Sequence, residues 1–400
     1  MRRVLALIAG VALASVGLLT AAGSAPAAGP GVAAGLDHVP VCPGPADPGT
    51  ARCHAQLPVS PGRTSPQVSS APSGLSPTQI QSAYGWASTG GSGKTIAIVD
   101  AYDDPTAESD LNTFSQQYGL PKTCASTGGV QPCFVFTKVG QNGGTRYPRT
   151  DAGWALEISL DIQWAHAIAP QATILLVEAS SNSFANLLTA EDYATNPNHA
   201  TYVSNSWGGS EFSGETSSSY DGHFNRSTVS IFVSAGDAGL PADYPSASPY
   251  VTSVGGTTLA FNAGGTVSET GWSGGGGGCS LYETATSAQS GLSGLTGYSQ
   301  VNCGGKRATP DVALDANPSS GVSVYDSTRY QGQSGWWTVG GTSASSPMWA
   351  ARAAVSGAPV NSTYVYGSSI TFRDITSGNN GAPCLSGYDL CTGRGSWTTP

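Results

Sequence analysis

Between residues 94 and 239, short apolar runs alternate with stretches of helical period. KTIAIVDAY (94–102), ATILLVEAS (172–180), ATYVSNSWG (200–208) and TVSIFVSAGDAG (228–239) are short, nearly continuous apolar runs, as buried strands are. ESDLNTFSQQYG (108–119), WALEISLDIQWAHAIAP (154–170) and SFANLLTAEDYAT (183–195) read as helices, the second stopping before Pro170. Ahead of them, LSPTQIQSAYGW opens a helix with Ser76 as its cap and Pro77 at its first position. Strands alternating with helices predict an α/β fold with a mostly parallel central sheet and helices on both faces. Polar and small residues follow the carboxyl ends of the strands, the edge where open α/β sheets build their sites.

The first 75 residues lack this pattern. Residues 1–28 hold two arginines, an apolar run and small residues in A-x-A spacing at Ala25 and Ala27, the features of a secretory signal peptide. Residues 29–75 are rich in Pro, Gly, Ser and Ala and show neither helical nor strand period, so a partly disordered leader or short propeptide is expected. Residues 76–400 then form one domain. The picture is a secreted protein that leaves the membrane with its signal, since no later stretch is long and apolar enough to span a bilayer.

Composition narrows the partners. Sixteen basic residues stand against 25 acidic ones, a net charge of −9, which excludes the basic face that nucleic acid requires. Only 10% of residues are charged, and a surface poor in charge changes little in acid. The eight cysteines fall into four neighbouring couples. In an exported chain disulfides are the default, and sequential pairing is the simplest arrangement. GWSGGGGGCS (271–280) lacks the Gly-Lys-Ser/Thr ending of a phosphate loop and reads as a flexible surface loop.

The chemistry begins at VGGTSASSPMWAA (339–351), where Ser343 is placed as a nucleophile at the start of a helix. A serine nucleophile needs a base. Of five histidines, His38 and His54 fall in the expected leader, and His199 and His223 in polar loops. His166 lies near a helix C-terminus, where the dipole favours it without catalysis. The same helix holds Glu157 and Asp161 at i and i+4, on one face bordered by Trp154 and Ile158. Two buried carboxylates share a proton, with one pKa raised. Asp237 closes the strand SIFVSAG at the sheet edge, where a substrate carbonyl can reach it.

Together GGTSASSP, GWALEISLDIQWAHAIAP and SAGDAG resemble the sedolisin family, the serine-carboxyl peptidases of subtilisin-like three-layer fold, from about Leu75 to the C-terminus. The resemblance implies an acid-active endopeptidase with Ser343 as nucleophile, Glu157 as general base, Asp161 as its orienting partner and Asp237 as the oxyanion acid. It also implies one structural Ca²⁺ held by the carboxylates of Asp374 and Asp389 and the carbonyls of Ile375 and Gly387, all in hard-oxygen surroundings. A monomer acting on protein or peptide substrates is expected, with VSNSWGG (203–209) as the strand that pairs with an extended peptide and Asp100 as a structural residue. ATPDVALDANP (308–318) matches the family as a strand and turn. The family's long folded propeptide has no counterpart of its size in residues 29–75, and the stretch from Pro347 to Asp374 is abbreviated. Two rival readings remain. One is a histidine-dependent subtilase using Asp100, His166 and Ser343; the other is an inactive binding protein on the same fold.

Overall fold

The computed structural model describes residues 38–44, 46–60, 65–262, 266–290, 301–367 and 370–398, and the expected signal peptide lies outside them. Eight strands form the central sheet: β1 (Thr95–Ala101), β2 (Phe136–Gly140), β3 (Thr173–Ala179), β4 (Tyr202–Asn205), β5 (Ser230–Ser234), β6 (Thr252–Phe261), β7 (Val267–Gly271) and β8 (Val312–Asp315). Their order is β7-β6-β5-β4-β1-β3-β2, with β8 also pairing with β6. Every pairing is parallel except β6 with β7. The apolar runs read from the sequence are these inner strands, buried along almost their whole length.

Five helices matter for the site: α1 (Pro77–Tyr84), α2 (Ala107–Tyr118), α3 (Ala152–Ile168), α4 (Phe184–Ala194) and α5 (Thr342–Ser356). At α1, Ser76 and Gln79 form a reciprocal capping box, with Pro77 in the first turn. In α3 the Asp151 carboxylate caps the Gly153 and Trp154 amides at 3.1 and 3.2 Å. From Trp154 to Ile168 every residue of α3 is buried. A helix enclosed all round belongs to a core, and α3 packs against α5, α2, β1 and the strand Val322–Tyr330. That enclosure, rather than an amphipathic stripe, is what puts its two carboxylates out of water.

Two stretches differ from expectation. Residues 38–44 and 46–60 are ordered: His38–Pro40, Arg52–Cys53 and Gln56–Pro58 are short strands, and Ala51, Cys53, His54, Ala55 and Leu57 are almost wholly buried. Strands of two or three residues carry no readable period, which is why this order was hidden. The glycine run is no flexible surface loop either, because Gly275 to Gly278 are buried. A Cβ on Gly276 would strike the Ala235 carbonyl, and one on Gly277 the Leu390 carbonyl, so the glycines permit close backbone packing. All four sequential cysteine couples are bridged: Cys42–Cys53, Cys124–Cys133, Cys279–Cys303 and Cys384–Cys391.

Candidate active site

The carboxyl ends of β1, β4 and β5 and the first turn of α5 converge. Asp100 is the penultimate residue of β1, Ser206 follows β4, and Asp237 stands just beyond β5. Ser343 is the second residue of α5, entered through Gly341 at φ 93°. Pro347 in that helix has no N–H for the Ser343 carbonyl four residues back. That carbonyl accepts instead from the Ser206 hydroxyl at 3.4 Å, and the Ser343 hydroxyl donates to the Ser206 carbonyl at 3.3 Å. The two serines thus hold each other in register.

Glu157 faces the Ser343 hydroxyl, which favours its charged form. Burial outweighs that contact, and the carboxylate of Asp100 adds to it, so the Glu157 pKa is raised well above the ordinary value. Asp161 is raised for the same reasons, burial first, then Asp100 and Glu157. Burial alone pushes Asp100 up to about 8. Three wholly buried carboxyl groups therefore occupy one space. Among the described residues, no well-formed hydrogen bond reaches either oxygen of Asp100 or Asp161, or Oε1 of Glu157. Such a group holds protons that water would remove. Asp100 was read from the sequence as structural; its coupling to the helix pair needs β1 and α3 packed together, which no local motif signals.

Asp237 sits opposite. Its Oδ1 accepts the Thr342 amide at 2.8 Å and the Thr342 hydroxyl at 2.9 Å, and its Oδ2 accepts Gln56 Nε2 at 3.0 Å. Burial raises its pKa to about 6 against these hydrogen bonds. It is therefore a proton-bearing group in acid and a carboxylate near neutrality.

The histidines stand apart from this arrangement. His166 is buried, its Nε2 2.9 Å from the Pro121 carbonyl and its ring stacked on Phe134 at 3.8 Å. His54 is buried as well, with Nδ1 2.6 Å from the Ser234 hydroxyl. Burial, helped by Arg52, lowers its pKa to about 3. It lies in the cleft but is bonded to Ser234, not to Ser343.

The residues expected to hold calcium share one loop. Asp374 Oδ2 accepts the Gly387 amide at 2.9 Å, and Asp389 accepts the amides of Leu385, Cys391 and Thr392 at 2.6–3.0 Å. Among the described residues no cluster of three metal-ligating side chains exists. A site here would join the two carboxylates to backbone carbonyls, and this hard-oxygen set fits calcium in chemistry. Each carboxylate has about four lone-pair directions, so these N–H contacts do not exhaust them.

Residues 151–365 match the subtilase family. Kumamolisin of Bacillus sp. (strain MN-32) is 33% identical over 371 residues, which are 82% of this chain and 63% of that protein. Sedolisin of Pseudomonas sp. (strain 101) is 27% identical over 372 residues, 82% of this chain and 59% of that protein. The chain thus spans less than two thirds of the length of either relative. Among solved structures, Pseudomonas sedolisin, a serine-carboxyl proteinase complexed with two molecules of pseudo-iodotyrostatin, superposes with a TM-score of 0.67 at 26% identity. That match covers 82% of this chain and 96% of the other. Sphericase, at a TM-score of 0.51 and 19% identity, shares the fold.

Proposed function

The chain belongs to the subtilase family, in its sedolisin form, and from that premise we propose that it is a secreted serine-carboxyl endopeptidase active in acid. The observation that carries the reading is the Ser343 hydroxyl facing Glu157, a buried carboxyl coupled to Asp100 and Asp161. Ser343 attacks the substrate carbonyl while Glu157 takes its proton and later delivers it to the leaving amine. Asp161 orients Glu157 and shares its protons. A glutamate is a weak base at neutrality, but in acid its pKa can match the pH of operation, with Asp100 and Asp161 holding the protons of the buried cluster. Asp237 donates a hydrogen bond to the oxyanion while it is protonated, which confines that help to pH below about 6.

The substrates are proteins or peptides, bound in extended form along the strand Trp207–Ser210, and the enzyme is a monomer. A calcium ion at Asp374, Ile375, Gly387 and Asp389 braces the C-terminal loop, beside the Cys384–Cys391 bridge. The rival that uses Asp100, His166 and Ser343 finds no support, because His166 is engaged by Pro121 and Phe134. The deciding experiment is a pH profile on denatured casein for the wild type and for Ser343→Ala. Activity that peaks in acid and vanishes with Ser343 supports the reading; equal hydrolysis by both chains refutes it.

A further inference from the structure

The far side of the strand Trp207–Ser210 is fastened by acids. It pairs antiparallel with Asp243–Tyr244, Gly209 opposite Tyr244 and Ser210 opposite Asp243. The chain then turns at Glu211, whose carboxylate accepts the Ser280 hydroxyl and, at 2.9 Å, the Leu281 amide of the strand Gly278–Thr284. The Ser280 oxygen in turn accepts the amides of Tyr282 and Glu283 at 3.1 and 2.7 Å. Glu215 closes the turn, its Oε2 accepting the Phe212 amide at 2.7 Å.

Behind this turn, four carboxyl groups share one space. Glu215, Asp221 and Glu283 are at most 4% exposed. Glu215 meets Glu211 carboxyl to carboxyl, and Glu283 meets Asp221 in the same way. Among the described residues, no well-formed hydrogen bond reaches Oε1 of Glu215, Oδ1 of Asp221 or Oε1 of Glu283. The Tyr244 hydroxyl belongs to a wholly buried side chain, is aimed at Asp221, and has no well-formed bond either. Ionised carboxylates only accept, so two of them in contact need a proton between them. With it, the contact becomes a charge-assisted hydrogen bond; without it, like charges repel in a place water cannot screen. The remaining neighbours do not remove this need. Asp221 faces the Ser248 hydroxyl, Glu283 faces Lys306, Glu211 faces Asp243, and Tyr220 faces Tyr244. On α4, Asp192 is engaged instead by His223 and Arg226, at 2.9 and 2.6 Å.

We propose that Glu211, Glu215, Asp221 and Glu283 are positioning residues for the substrate: as two proton-bridged carboxyl pairs they fasten the strand Trp207–Ser210 and its neighbour Asp243–Tyr244 to the strand Gly278–Thr284, and the cleft loses that wall when the bridging protons leave. What the wall holds rests on the peptidase reading given above; the fastening does not. Burial, and after it Glu211, push Glu215 up to about 9 against the Phe212 amide. Burial, then Asp221 and Glu211, push Glu283 up to about 8 against Lys306. These folded values exceed the unfolded ones, near 4. The fastening is therefore complete in acid and is lost as pH rises through about 8–9.

The test is amide hydrogen exchange, followed by mass spectrometry on the full-length Ser343→Ala chain at about pH 5 and about pH 9 and corrected for the intrinsic rate. Protection of residues 207–215 and 278–284 is expected to fall at least about tenfold between the two, while α3 and β1 stay protected. No fall, or a fall spread evenly over the chain, overturns the proposal. Adding Glu215→Gln and Glu283→Gln leaves each pair an amide that donates without a titrating proton, so protection should persist at about pH 9. Opening equal to that of the parent chain overturns the proposal. Should that variant fail to fold, Lys306→Ala decides. Its ammonium favours the charged form of Glu283, so its loss should move the midpoint of opening to higher pH; an unmoved or lowered midpoint overturns the proposal. With Ser343 present, KM for denatured casein should rise from about pH 4 to about pH 8 in the wild type and stay level in the double glutamine variant, while kcat follows Asp237 in both. An equal rise in KM detaches the pairs from the substrate and overturns the proposal. If no chain hydrolyses casein, the peptidase reading falls and exchange still decides the fastening.

Discussion

The backbone nitrogen of Ala55 lies 2.9 Å from Oε2 of Glu157, although the two residues are 102 positions apart in the chain. A carboxyl group that meets both a serine hydroxyl and a peptide nitrogen is placed to move a proton between them. Replacing Glu157 by glutamine keeps the shape and removes that capacity. Glu157→Gln and Ser343→Ala are each expected to abolish casein hydrolysis, whereas His166→Ala keeps most of it. Loss of activity in the His166 variant, with its circular dichroism unchanged, would sink the carboxyl mechanism.

Asp237 gives a prediction about the shape of the pH profile. Its folded pKa of about 6 makes it a donor below that value and an acceptor above it. Wild-type activity is expected to fall as pH rises through about 6. An amide donates at every pH, so Asp237→Asn should lose this limb. It should also be less damaged than Glu157→Gln, losing at most about 10²–10³ in rate. A variant profile identical to the wild type at every pH would refute the role.

The buried acids also set the pH dependence of stability. Asp100, Glu191 and Asp326 are each pushed up to about 8, burial being the first cause. Their folded values exceed the unfolded ones, near 4, so the folded chain keeps protons that the unfolded chain releases. Stability is then full below about pH 4 and is lost as pH rises through about 8. Melting temperature should fall between pH 4 and pH 8, and Asp100→Asn should flatten the fall. A melting temperature that climbs toward neutrality would contradict this account.

Calcium should act through the folded state alone. If Asp374 and Asp389 hold the ion, added calcium raises the melting temperature by RT ln(1 + [L]/Kd) and chelation reverses it. At about pH 6 and above, where protons compete less for Asp389, the response should be clear in the wild type and absent in Asp389→Ala. Identical calcium responses in the two chains would remove the ion from this loop.

Much of this was legible in the residues. Four inner strands and α3 stand out because buried strands and an enclosed helix need long apolar runs, and Glu157 and Asp161 are visible because i and i+4 share a face. The nearness of Asp100 to the helix pair was hidden because its partners come from α3, 57 and 61 positions later in the sequence. Residues 51–58 were missed for a related reason. Their order depends on Ser206, Glu157 and Gly340, and two-residue strands leave no period to read. The glycine run was misread because glycine looks alike in a loose loop and under a tightly apposed carbonyl; only the neighbour distinguishes them.

The Cys42–Cys53 bridge closes entirely upstream of His54. While the chain is unbroken, its tether presents residues 51–58 to the cleft at an effective concentration of the order of millimolar or more. A competing peptide in solution must exceed that local concentration to displace the segment, so the cleft answers to added peptide only when it is abundant.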